Sequence, residues 1–165
     1  MDNKQLVWES SQEMLEQLPK GAFLTLSDGE RMNVMTIAWG SIGFIWGKPV
    51  FTTLVRYSRY SYDLIEKSGE FGISIPAKET LKQELAFCGS KSGRDLDKFQ
   101  GSGLTPVKGR IISAPSIKEC SLHLECKVLY KQGMNETFLD PKVKDISYPN
   151  GDLHVMYFGE IVACY

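Results

Sequence analysis

Leu54-Val55-Arg56-Tyr57-Ser58-Arg59-Tyr60-Ser61-Tyr62-Asp63-Leu64-Ile65 holds the transition around which the rest of this chain is arranged. The β-rich run Val50 to Val55 reads as a strand, and the residues from about Ser61 to Lys67 read as a helix stopped by Ser68-Gly69. Two arginines and two serines lie between them, where a helix N-terminus leaves backbone N–H groups without intrahelical partners. The arginine fork matches phosphate oxygens, and a serine hydroxyl either donates to an anion or caps the helix. From these residues alone two readings stand: a phosphate seat, or a capped helix with solvated arginines.

Moving outward toward the N-terminus, the passage Gly40 to Pro49 is glycine-rich and apolar without periodicity, which predicts a loop packed on a ligand or another subunit. Before it, Gly21 to Leu26 and Met32 to Trp39 are β-type runs joined by Ser27-Asp28-Gly29-Glu30-Arg31, a hairpin signal. Trp8, Met14, Leu15 and Leu18 predict an amphipathic helix over about 8–18. Toward the C-terminus, Phe71 to Ile75 is a strand ended by Pro76, Thr80 to Phe87 a helix, and Leu104 to Val107, Leu122 to Tyr130 and Leu153 to Cys164 are strands. In Ser121 to Val128 polar and apolar residues alternate, so His123, Glu125 and Lys127 are expected on an exposed face. Asn135 to Gly151 reads as a long polar loop, a length that points to function, an interface or mobility. Antiparallel strands with few, short helices predict a mainly β chain, a barrel or sandwich with helical inserts.

At 165 residues, 42% hydrophobic and 24% charged, the chain suits one domain with a sizeable core. A formal net charge of -1, with basic residues spread along the chain, makes no electrostatic case for nucleic acid or an acidic membrane. Met1 to Leu6 lacks the pattern of a secretory leader and no apolar run reaches membrane-span length, so a cytoplasmic location is expected. Cys88, Cys120, Cys126 and Cys164 form no C-x-x-C and pair with no nearby histidine, so reduced, buried thiols are expected and a metal site is not.

The motifs of several chemistries are missing. Gly89 to Arg94 has no Gly-Lys-Ser/Thr of a P-loop, and Gly101-Ser102-Gly103 runs into Pro106 where a dinucleotide fingerprint needs its third glycine. No Gly-x-Ser-x-Gly elbow supports hydrolysis. Asp95 and Asp97 are explained as helix-start residues. His154 stands at a loop edge beside Asp152, where either a structural or a functional histidine fits. A phosphate seat beside an apolar, backbone-rich surface suits a flat organic cofactor with a phosphate tail, which would bring the chemistry with it.

Several motifs recur in one order: Asn33-Val34-Met35-Thr36-Ile37-Ala38-Trp39-Gly40, the Val55 to Tyr62 turn, Ser68-Gly69-Glu70-Phe71, and Cys88-Gly89-x-x-Ser92-Gly93-Arg94-Asp95-x-Asp97-Lys98-Phe99. They are followed by Gly103-Leu104-Thr105-Pro106, Leu124-Glu125-Cys126-Lys127 and Gly159-Glu160-Ile161-Val162. Together they resemble the flavin reductase-like, FMN-binding split-barrel family, especially its flavoredoxin-type branch. The resemblance implies a single domain over 1–165, with the helix at about 8–18 and a split β-barrel with a Greek-key core over 21–165. It further implies a homodimer with FMN near the interface, and NADH, NADPH or a redox protein as electron donor. On that pattern Asn33, Met35, Thr36, Ile37, Ala38 and Trp39 would lie against the flavin ring, with Thr36 adding a hydroxyl. Arg56, Ser58, Arg59, Tyr60 and Ser61 would hold the phosphate, and Cys88, Gly89, Ser92, Gly93 and Lys98 would close over the flavin from the other side. His154, after Gly151-Asp152, would neighbour the nicotinamide or flavin. The activity implied is NAD(P)H-dependent flavin reduction; a flavoredoxin-like carrier and a non-catalytic flavin-binding module are the alternatives. The bulky Phe44 to Trp46 segment and the long 135–151 loop depart from the pattern.

Overall fold

The Asp28-Gly29 signal does form a hairpin. Asp28 accepts from the amides of Glu30 and Arg31 at 3.1 and 2.9 Å, and β1 (Ala22–Ser27) pairs antiparallel with β2 (Met32–Ile37). The computed structural model describes residues 3–165. Met1 and Asp2, the start of the segment read for a leader, lie outside the described residues.

The predicted loop over Gly40 to Pro49 is instead a second hairpin, β3 (Gly40–Ile45) with β4 (Lys48–Arg56). Its two-residue turn, Trp46 (φ 53°) and Gly47 (φ 71°), has both residues at positive φ, the twist that matches the flanking strands. Three glycines hid this hairpin, because they erase the alternation by which a strand is recognised. After β4 the chain runs through α2 (Tyr60–Ser68) into β5 (Glu70–Ile75). There follow α3 (Lys82–Ser90), α4 (Lys98–Ser102), the two-residue strands β6 (Pro106–Val107) and β7 (Ser116–Ile117), and the long β8 (Leu122–Gly133). The chain ends with α5 (Pro141–Ser147) and β9 (His154–Cys164).

Seven strands form one antiparallel sheet in the order β2-β1-β5-β8-β9-β4-β3. Its two edge strands, β2 and β3, are consecutive in the chain and joined only by Ala38 and Trp39. From Ile37 to Gly40 the backbone spans at most about 11 Å, so the sheet must curl until its edges nearly meet. The result is a barrel left open at one seam, β2 against β3. The crossing from β4 through α2 to β5, over β8 and β9, is of the Greek-key kind.

Alternation sorts the core. Leu24, Leu26, Met35, Phe51, Val55 and Ile73 point inward from several strands and join Leu64 and Ile65 of α2 and Val7 and Met14 of the N-terminal helix α1 (Asn3–Gln17). Phe23 and Val34 face outward and are covered by Leu85, Cys88 and Phe99 of α3 and α4. α1 spans Asn3–Gln17, starting before the predicted Trp8, and a single 3-10 turn at Leu18–Lys20 follows.

Other expectations shift too. The strand expected over Leu104 to Val107 shortens to Pro106–Val107. The 135–151 loop contains α5, because Pro141 serves as a first helical residue while Asp140 accepts from the amides of Lys142 and Val143. His123 is half-buried against Tyr165, and Glu125 is buried. That carboxylate accepts from the amides of Arg110, Ile111 and Ile112 and from the Tyr165 hydroxyl. It anchors a loop and does not face solvent. All four cysteines are free and buried, as the sequence led us to expect.

Candidate functional site

The open seam of the barrel is where the conspicuous residues gather. In the β4–β9 register Arg56 pairs with His154, which sets both at the end of the sheet where β4 turns into α2. The Met35 to Trp39 segment ends β2 and crosses the seam. Two cavities adjoin there. The first, about 170 Å3, is walled by Met35, Thr36, Ile37, Ala38, Trp39 and Leu54, with His154 at its side. The second, about 280 Å3, is polar and takes in Asn33, Ser58, Tyr60, Ser61, Ser92, Gly93 and Lys98. Met35, Arg56 and Arg59 line both, so the two adjoin as one cleft: the first half carries most of the apolar side chains, the second, cationic half is strongly polar, and the two arginines are shared.

The cationic half gathers hydrogen-bond donors. Arg59 is the N-cap of α2 and makes no capping hydrogen bond through its side chain; the Tyr62 amide turns back to the Arg59 carbonyl at 3.0 Å, so the helix start at this wall has no side-chain cap. The serine-cap alternative therefore does not hold. Ser61 instead accepts from the Asn33 side-chain amide at 2.9 Å and retains its own proton. Lys98 is 4% exposed and donates to the carbonyls of Cys88 (2.7 Å) and Lys91 (3.1 Å), which leaves one N–H of three. Among the described residues no carboxylate pairs with it, and burial pushes its pKa down to about 8. Gly93 closes the cradle: a Cβ there would lie 2.4 Å from Asn33 Oδ1 and 2.6 Å from the Tyr60 ring.

Several expected ligands are committed elsewhere. The Thr36 hydroxyl donates to the Leu85 carbonyl at 2.6 Å, tying β2 to α3, so at the wall of the first cavity it is left to act only as an acceptor. Ser58 donates to Asp152 at 2.6 Å. Cys88 is fully buried in the outer core, and its backbone carbonyl, not its thiol, serves Lys98. Gly89 likewise acts through its carbonyl, which accepts from Arg59 at 3.1 Å. Arg56 donates to the carbonyls of Ser147 (3.0 Å) and Asp152, and its guanidinium lies 5.1 Å from the Tyr148 ring centroid. It braces the loop before β9 while lining both halves of the cleft.

His154 is buried, stacks obliquely on Trp39 with centroids 5.4 Å apart, and has Nδ1 2.8 Å from the Tyr148 hydroxyl. Burial and then the Arg56 charge push its pKa down to about 4, against the opposing pull of Asp152. It is therefore neutral at neutral pH.

Leu54, Lys91 and Asp152 line the cleft without having been singled out as site residues. All three lay inside quoted stretches, but Leu54 carried no signal beyond strand propensity. Arg94, also within a motif, supports the turn by donating to the Ser58 carbonyl and to Asp63 and by covering Tyr60.

The chain is thus an antiparallel barrel split at one seam, with a cleft lined by apolar and cationic side chains at the split. Residues 15–165 match the model of the flavin reductase like domain, and the chain belongs to that family. Its architecture is the split barrel of flavin reductase-like proteins. An uncharacterized protein of Archaeoglobus fulgidus is 33% identical over 150 residues, 90% of this chain and 74% of its own. The flavoredoxin of Desulfovibrio vulgaris superposes with a TM-score of 0.69 at 26% identity, covering 88% of this chain and 68% of that one. For the flavoredoxin from Methanosarcina acetivorans the values are 0.66, 27%, 88% and 67%. The chain spans only 57% and 62% of two further relatives, from Escherichia coli and Pyrococcus abyssi.

Proposed function

We propose that this domain binds FMN in the two-part cleft and acts as an NAD(P)H-dependent flavin reductase. The observation that carries the reading is Lys98, a buried ammonium with no carboxylate partner among the described residues, beside Arg59, the start of α2 without a side-chain cap and the Gly93 cradle. Such a set suits a phosphate dianion, and the adjoining apolar half suits a flat ring. When bound, FMN would supply the centre that accepts a hydride and passes its electrons on. The protein's own residues do the rest. Arg59, Lys98 and Ser61 hold the phosphate, Met35 to Trp39 present backbone and apolar surface to the ring, and His154 stands at the apolar half as a neutral imidazole.

A homodimer belongs to this reading. Phe44 and Trp46 are each 58% exposed on the β3–β4 hairpin, and Trp46 adjoins Tyr130 and Phe158 to form an apolar surface suited to a second copy. A cytoplasmic setting, with reduced cysteines and a nicotinamide pool, is likewise part of the proposal. The likeness to two flavoredoxins favours a second reading, an electron carrier reduced by a protein partner.

An anaerobic titration separates them. Bleaching of bound FMN by NADH or NADPH is the expected result; bleaching only by dithionite or a reduced protein selects the carrier. Failure to bind FMN at all overturns both.

A further inference from the structure

We propose that Tyr148, in the segment that follows α5, is a positioning residue that fixes the tautomer of His154, so that the imidazole offers an N–H and not a lone pair to the apolar cavity. The Tyr148 hydroxyl lies 2.8 Å from His154 Nδ1 and 3.2 Å from the sulfur of Met134. It has one proton to give. The hydroxyl oxygen can also accept, so two arrangements fit the contacts: O–H to the sulfur with Nδ1–H to the oxygen, or O–H to Nδ1 with the sulfur as a close neighbour. The imidazole nitrogen is much the better acceptor and lies nearer, which favours the second. Nδ1 is then bare, and Nε2 carries the hydrogen.

Tyr148 is held for this task. In an otherwise exposed stretch it is 5% exposed, and its ring meets that of His154 edge-on, centroids 5.5 Å apart at 79°. Arg56 grips the segment through the carbonyls of Ser147 and Asp152 while covering the Tyr148 ring. The charged groups facing His154 are Arg56, Arg59 and Asp152, with the two arginines opposing its protonation. With the cation suppressed, the tautomer is what varies. On the flavin reading, on which the consequence rests, an Nε2–H would serve as a donor to a carbonyl oxygen of the nicotinamide or ring, whereas the other tautomer would offer that oxygen only a lone pair.

The chain has two histidines, so long-range proton–nitrogen NMR of the flavin-free protein reads each one directly. His154 should show a protonated Nε2 and a bare Nδ1. In Tyr148→Phe it should become a tautomer mixture and its pKa should rise, because the lost hydrogen bond favoured only the neutral ring; His123 should not move. A protonated Nδ1 in the unaltered protein overturns the proposal whether or not the variant folds. So does a variant in which tautomer and pKa stay put, or in which the pKa falls. With FMN bound, Tyr148→Phe should slow bleaching by the donor the titration identifies roughly three- to tenfold, with FMN affinity unchanged. Lost FMN affinity with unchanged bleaching would instead make Tyr148 a cofactor-retaining residue and overturn the consequence for hydride transfer. The tautomer is read without flavin, so it stands or falls apart from FMN binding.

Discussion

An ammonium held at 4% exposure by two carbonyls is costly unless something anionic completes it, and at the residue scale Lys98 is the feature that most constrains function. With its pKa at about 8 in the flavin-free protein, it is charged at neutral pH and loses that charge as pH rises. A phosphate would raise the pKa again, so binding takes up a proton once the pH passes about 8. FMN affinity should therefore be flat from pH 7 to 8 and decline above it, by up to tenfold per unit, when followed by flavin fluorescence quenching. Lys98→Met keeps the stem and removes the charge. It should weaken FMN at pH 7 by about 2 kcal/mol, roughly thirtyfold, abolish the alkaline decline, and leave riboflavin affinity nearly unchanged. Equal losses for both ligands would mean that Lys98 supports the loop and does not hold the phosphate.

At the scale of elements, the β3–β4 hairpin carries a local conflict. Its turn needs positive φ at both central residues, yet one of them is Trp46, a bulky side chain at φ 53° and 58% exposed. A residue suited to the turn alone would be asparagine. We take the tryptophan as retained for its surface, next to Tyr130 and Phe158. Trp46→Asn should accordingly leave the midpoint of urea unfolding of the monomer unchanged or raise it by about 0.5 kcal/mol equivalent, since asparagine tolerates the left-handed region. On the proposed homodimer, the same substitution should shift sedimentation from dimer toward monomer at micromolar concentration. A variant that stays dimeric would remove the hairpin from the interface.

At the scale of the whole molecule, the cleft couples to stability through His154, which ties β9 to the α5 segment and the seam. Its pKa is about 4 folded against an ordinary 6.5, so the unfolded chain binds more protons between those values. Stability from this group is intact above pH 6.5 and is lost on acidification toward pH 4. By pH 5 the loss should reach about 2 kcal/mol in urea titrations, and His154→Gln should flatten that part of the profile. If the variant shows the same acid loss, the carboxylates, Glu125 among them, account for it. As for what could be read in advance, the hairpin at Asp28-Gly29, the β4-to-α2 turn, the buried reduced thiols and the motifs of the cleft were determined by the sequence itself. They depend on residues a few positions apart, and short-range turn chemistry and alternation report those faithfully. The seam of the barrel, the burial of Glu125, the diversion of Thr36, Ser58 and Arg56 to internal partners, and the meeting of Tyr148 with His154 were decided by tertiary structure alone. Each depends on which strand ends the sheet order brings together and on which of several willing acceptors lies nearest to a donor. Local sequence does not specify those long-range pairings, because the same donors would be satisfied equally well by water in an open chain.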